Sequence, residues 1–368
     1  MKNSILFFVF LFNFFFCASQ KNELSIGVEY LNGSTIKHSP KIILQMPKVS
    51  QGVLFSISYH TKGEKAWQQR MGYPTTSLNV GIINYKNKFL GNALCFFPSI
   101  EYDLIKKNRF FWKIKFGGGI GFATKMWERF PLEDTINNII GSRLNNFSQV
   151  QTNLQYKISD KINLKAGGFF NHISNGSARK PNLGINFSGF IFGLDYFPNG
   201  QKKERLKNKL DNEKSKIQFG LRSAFSLVEA AIAEGPFYNV YHQSFLITKK
   251  IQQKNRLFIG TDFTYNERNY AFLKNNAYCP GKEKNGAWNS SVFGGIEFLF
   301  GKLGMPIQAG LYTKKMANEG KVWYQKLGMN YYIYDNKHTI IKSAYLSTLL
   351  KTHLSIADNI EFCIGFLF

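Results

Sequence analysis

The sequence predicts an all-β chain: an antiparallel transmembrane β-barrel of about sixteen strands, in two related halves of about eight. Three observations carry that reading. Apolar and polar residues alternate in runs of about ten, the length a tilted strand needs to cross a bilayer. With 36 Phe, 18 Tyr and 32 Gly in 368 residues, the inventory suits closely packed pleated strands better than helices. Connections differ in length, and short turns at one end of a barrel with long loops at the other are the outer-membrane pattern.

The N-terminus reads as a secretory signal. Lys2 supplies the positive charge, Ile5 to Phe16 is apolar apart from Asn13, and Cys17-Ala18-Ser19 supplies small residues for cleavage near Ser19. A lipoprotein signal at Cys17 is the rival reading, but Phe14, Phe15 and Phe16 fit a lipobox poorly. The run is short for a spanning helix. Residues 1–19 are therefore expected to be a removed signal peptide.

Residues 20–198 carry the first set of alternating runs: Glu23–Leu31, Gly52–His60, Ser77–Tyr85, Ala93–Ile105, Phe110–Ala123, Phe147–Ile158, Ile162–His172 and Ile185–Phe197. Lys106-Lys107-Asn108 and Ser159-Asp160-Lys161 read as tight turns, and Lys62–Thr75 and Lys125–Asn146 as long loops. Asn199 to Lys216 is charged and nearly free of apolar residues, an exposed linker or short surface helix. Residues 217–368 carry the second set: Ile217–Leu227, Tyr238–Lys249, Leu257–Asn266, Ser290–Phe300, Leu303–Tyr312, Val322–Ile333, Thr339–Leu350 and Ile360–Phe368. The last of these is aromatic and ends on Phe368, like the C-terminal signal of outer-membrane barrels. The halves echo each other, with His172-Ile173-Ser174 before the last strand of one and His353-Leu354-Ser355 before the last strand of the other. Two closures fit: one wide barrel, water-filled unless plugged, or two small barrels packed inside. One terminal signal, driving one insertion event, favours the single barrel.

Once one cysteine leaves with the signal, Cys95, Cys279 and Cys363 remain, with neither a disulfide framework nor metal-like spacing. The net charge of +24 favours anionic partners such as phosphorylated lipid headgroups, unless it is simply a Lys-rich solvated surface. Export argues against nucleic acid as a partner.

The segment from Phe170 to Asn186 carries the chemistry. A period of two puts His172 and Ser174 on one strand face, a base beside a hydroxyl. That face also carries Ile162, Leu164, Ala166 and Phe170, whereas Asn163, Lys165, Gly167 and Asn171 lie opposite. The more apolar face of a barrel strand meets lipid, so His172 and Ser174 point outward. Asn186 faces the same way on the next run. Polar side chains on such a wall are either hydrogen-bonded to one another or solvated just above the hydrocarbon edge. An outward site would receive its substrate sideways, from the membrane.

His172-Ile173-Ser174-Asn175-Gly176 followed by Lys180-Pro181-Asn182-Leu183-Gly184-Ile185-Asn186 resembles the active-site segment of the PagL-like lipid A 3-O-deacylases, the bacterial acyloxyacyl hydrolase family. Resemblance to the longer, two-part members extends to Lys65-Ala66-Trp67-Gln68-Gln69, Gly72-Tyr73-Pro74, Ile140-Gly141-Ser142-Arg143-Leu144-Asn145 and Leu350-Lys351-Thr352-His353-Leu354. The resemblance implies an outer-membrane barrel that hydrolyses an ester-linked acyl chain of lipid A, with no metal and no cofactor. It makes Ser174 the nucleophile, His172 the general base, and Asn175 with the Gly176 N–H the oxyanion donors. The acidic residue that orients the histidine in the family falls on Asn186, an amide that can hold the tautomer but brings no charge. Glu361 and Asp195 should face inward and so cannot replace it. The second half lacks the Ser-Asn-Gly and Pro-Asn loop, and is expected to be structural. The competing reading is a non-catalytic barrel, a scaffold or pore derived from such an enzyme; a passive porin would need the wide, unplugged barrel.

Overall fold

The computed structural model describes residues 24–201, 205–210, 215–230, 232–316, 321–336, 338–354 and 356–368. The expected signal peptide, Ser355 and parts of the charged linker lie outside these residues. The first eight strands are β1 (Leu24–Ile36), β2 (Ser50–His60), β3 (Thr75–Asn84), β4 (Asn92–Lys107), β5 (Phe110–Ala123), β6 (Leu144–Lys157), β7 (Ile162–Ser174) and β8 (Ile185–Tyr196). The second eight are β9 (Ile217–Glu229), β10 (Phe237–Ile251), β11 (Asn255–Asn266), β12 (Trp288–Phe300), β13 (Leu303–Lys314), β14 (Trp323–Asp335), β15 (Ser343–His353) and β16 (Ile356–Leu367).

All sixteen expected strands are present, but they close as two rings. β8 returns to β1, from Ile26 opposite Tyr196 to Ile36 opposite Asn186, and β16 returns to β9. This overturns the single wide barrel. The physical reason lies inside: an eight-stranded ring is narrow enough for side chains to fill. Toward the end that carries His172, Phe97, Phe147, Phe187 and Ile173 form an apolar plug. Toward the other end lies an ionic layer, with Glu29 3.1 Å from Lys115 and 2.7 Å from Lys165, and Lys165 2.7 Å from Asp195. The second ring is crossed by Lys326, 2.8 Å from Asp262 and 2.9 Å from Glu361, and by Arg256 at 2.8 Å from Glu297. The wide, unplugged lumen that a passive porin requires is thus not what these rings enclose.

Removing one partner of a buried ion pair strands the other charge. Glu29→Ala leaves Lys115 and Lys165 facing each other without their shared carboxylate. The expected loss is about 3–5 kcal/mol of barrel stability, read from urea unfolding of the detergent-refolded chain. Superimposable unfolding curves would refute this account of the ionic layer.

The loops divide less simply than their lengths predict. Segment 61–74 follows β2, so it lies at the same end as the tight turns after β4 and β6. It is long because it folds on itself around helix α1 (Ala66–Arg70), where Gln68 accepts the N–H groups of Gly63 and Lys65. Trp67 then packs edge-on against Phe300 of the second barrel, ring centroids 6.2 Å apart. Strand limits also move, among them those of β1, β15 and β16, which starts at Ile356 instead of Ile360. β1 runs on past Leu31 because Gly33, lacking a Cβ, lets the backbone of Ser188 and Gly189 come close. β15 starts at Ser343 instead of Thr339, since residues before it turn, with Tyr334 hydroxyl to Thr339 hydroxyl at 2.9 Å.

Candidate active site

β7 and β8 set His172 directly opposite Asn186. Ile162, Leu164 and Phe170, on the same face of β7 as His172, are exposed on the outer wall, while Asn163, Lys165 and Asn171 are buried inside. The His172 Nδ1–H lies 2.6 Å from Asn186 Oδ1, and Nε2 lies 3.0 Å from Ser174 Oγ. An amide oxygen only accepts, so Nδ1 carries the proton and Nε2 is free to accept from the Ser174 hydroxyl. The three expected residues, Ser174, His172 and Asn186, therefore form one hydrogen-bonded chain. Asp195 and Glu361 do face inward, held by Lys165 and Lys326.

The loop after Ser174 is tightly framed. Asn175 donates its backbone N–H to Asn182 Oδ1 at 3.0 Å, and its side-chain amide to Ser142 Oγ and the Arg179 carbonyl, both at 3.0 Å. Those bonds occupy the Asn175 donors within the loop. Gly176 follows at φ +62°. Leu183 and Gly184 donate to the Ile139 carbonyl at 2.9 and 3.1 Å, and Ile140 bridges Asn182. The segment Ile140–Asn145, which as sequence implied no chemistry, is thus the outer frame of the loop.

Two contributors were missed in the sequence reading. Gly184, at φ +80°, sits so close that an added Cβ would lie 2.7 Å from His172 Cε1. His38 reaches from the β1–β2 loop to the Leu183 carbonyl, 2.8 Å from its Nε2. Gly184 was visible in the Pro-Asn-Leu-Gly run; nothing local marked His38.

Beside the loop a cleft of about 270 Å³ is lined by Trp127, Arg129, Arg179, Lys180 and, from the second barrel, Glu234. Burial, and then the charge of Arg268, hold the Lys180 ammonium below its ordinary pKa.

Two family models match this chain. One, lipid A 3-O-deacylase (PagL), matches residues 51–195; the other, the C-terminal domain of acyloxyacyl hydrolase, matches residues 216–368. The chain belongs to the PagL family, in its two-part form. No curated protein matches it. Among solved structures, neisserial surface protein A is 12% identical with a TM-score of 0.34, over 47% of this chain and 96% of that one. OccAB4 of Acinetobacter baumannii is 11% identical with a TM-score of 0.24, over 95% of this chain and 98% of that one.

Proposed function

We propose that this chain is an outer-membrane esterase that removes an ester-linked acyl chain from lipid A. The observation that carries the reading is the Ser174–His172–Asn186 hydrogen-bonded chain on the outer wall of the first barrel. An apolar wall of that kind belongs in lipid, so the substrate arrives within the plane of the membrane. Ser174 gives its proton to His172 Nε2 as its oxygen attacks the acyl carbonyl. The tetrahedral intermediate expels the sugar oxygen, which takes that proton, and leaves an acyl-serine. Water repeats the sequence and releases the fatty acid. Of the two expected oxyanion donors the Gly176 N–H is the one that acts, because the Asn175 amide already holds Ser142 and Arg179. Arg179 and Lys180 suit the anionic headgroup, whereas Arg129 is paired with Glu234 at 3.0 Å.

The test is mass spectrometry of lipid A from the membranes of a Gram-negative host with and without this chain. A species lighter by one acyl chain is expected, and identical spectra would overturn the proposal. Asn186 keeps a second reading alive, a non-catalytic barrel descended from the enzyme, and identical spectra are its prediction. Within the esterase reading, Gly184→Ala lowers the rate about 10- to 100-fold by pushing the His172 ring off line. Fatty-acid release from purified lipid A measures it, with thermal unfolding as the control. An unchanged rate would mean that the ring has room to spare.

A further inference from the structure

The second barrel touches the first where the chemistry would occur. β9 ends on Glu229, whose position alternates with the outward residues Phe225 and Leu227, yet it is 0% exposed. Its carboxylate accepts the backbone N–H of Lys180, and its other oxygen has no hydrogen-bond partner among the described residues. Phe237, paired with Glu229 across the β9–β10 ladder, lies under the Arg179 guanidinium at 5.1 Å. Leu350 and Ile360 pair across β15–β16 and close on Gly176. A Cβ there would lie 2.5 Å from Ile360 Cδ1 and 3.3 Å from Leu350 Cδ1.

A half-satisfied buried carboxylate is a poor way to hold two barrels together, because an unpartnered polar oxygen destabilises the state that buries it. Apolar packing would do that better. Glu229 makes sense as a device that fixes one backbone position, the N–H of Lys180 in the loop carrying Gly176. Such fixing matters more where Asn186 brings no charge to His172, because the oxyanion donor must then carry a larger share of the rate.

We propose that the second barrel is a working part of the site: Glu229, Leu350 and Ile360 are positioning residues that hold loop 175–184 so that the Gly176 N–H faces the oxyanion. The proposal rests on the reading of Ser174 as nucleophile. It replaces the expectation of a merely structural second half.

The full chain, refolded in detergent, tests it with purified lipid A. Glu229→Ala lowers kcat about tenfold with KM nearly unchanged, and Ile360→Ala does the same. Glu229→Gln, which retains an acceptor oxygen, recovers most of the rate. Hydrogen exchange of the 175–184 peptide, measured on folded protein, speeds up in Glu229→Ala. Wild-type kcat in both alanine variants, a loss confined to KM, or unchanged exchange would each overturn the proposal. Ser174→Ala separates the two ideas. If it is as active as wild type, the esterase reading fails. If it is inactive while Glu229→Ala and Ile360→Ala are fully active, only the positioning role fails.

Discussion

Ser174→Ala lowers lipid A hydrolysis by about 10³-fold or more while both barrels stay closed. The substitution removes the attacking oxygen and leaves His172 Nε2 without its 3.0 Å partner. Ser174 is 6% exposed and lies at the end of β7, so losing one hydroxyl removes about one hydrogen bond's worth of stability and leaves the ladder to β8 untouched. Any residual rate would come from the oxyanion donor and from substrate orientation, which do not need the serine. Fatty-acid release from purified lipid A gives the rate, and heat-dependent gel mobility reports the fold. A variant that folds and hydrolyses like wild type would remove Ser174 from the mechanism.

Asn186→Asp raises kcat, by about 10- to 100-fold. The two side chains have the same shape, so the carboxylate can take the amide's place 2.6 Å from His172 Nδ1. The amide already selects the right tautomer, and what is missing is only charge. A unit charge about 4 Å from the imidazolium is worth about 4 kcal/mol at an effective dielectric constant of 20. Desolvating a new carboxylate on the apolar outer wall of the barrel offsets part of that, leaving about 1.4–2.7 kcal/mol in the barrier. An unchanged or lower kcat in a folded Asn186→Asp protein would show that the absent charge does not limit this chain.

Much of the fold was legible because a strand writes itself into sequence every second residue. Ile162, Leu164 and Phe170 against Asn163, Lys165 and Asn171 fixed both a strand and its outward face, and the same parity brought His172, Ser174 and Asn186 together. Ring closure was not legible, because local alternation is identical whether Tyr196 pairs with Ile26 or with a strand of the second half. The helix Glu267–Asn275 was also missed. Its signals are slight: an Asn266 side chain capping Arg268 N at 3.0 Å, Glu267 in the first turn and Lys274 in the last. Glu229, Leu350 and Ile360 could not be read as partners of the loop. Leu350 and Ile360 look like ordinary wall residues, and Glu229 lies past the expected run Ile217–Leu227, until the second barrel is set beside the first.

The closure of the first ring has a consequence for timing. Every ladder of that barrel lies between Leu24 and Tyr196, so the ring closes without any later strand. Leu350 and Ile360, which close on Gly176, come from the last two strands of the chain. If Ser174 is the nucleophile, closure and competence are thereby uncoupled: the half that bears it can be closed while its loop is still unsupported, and the full rate awaits the final hairpin.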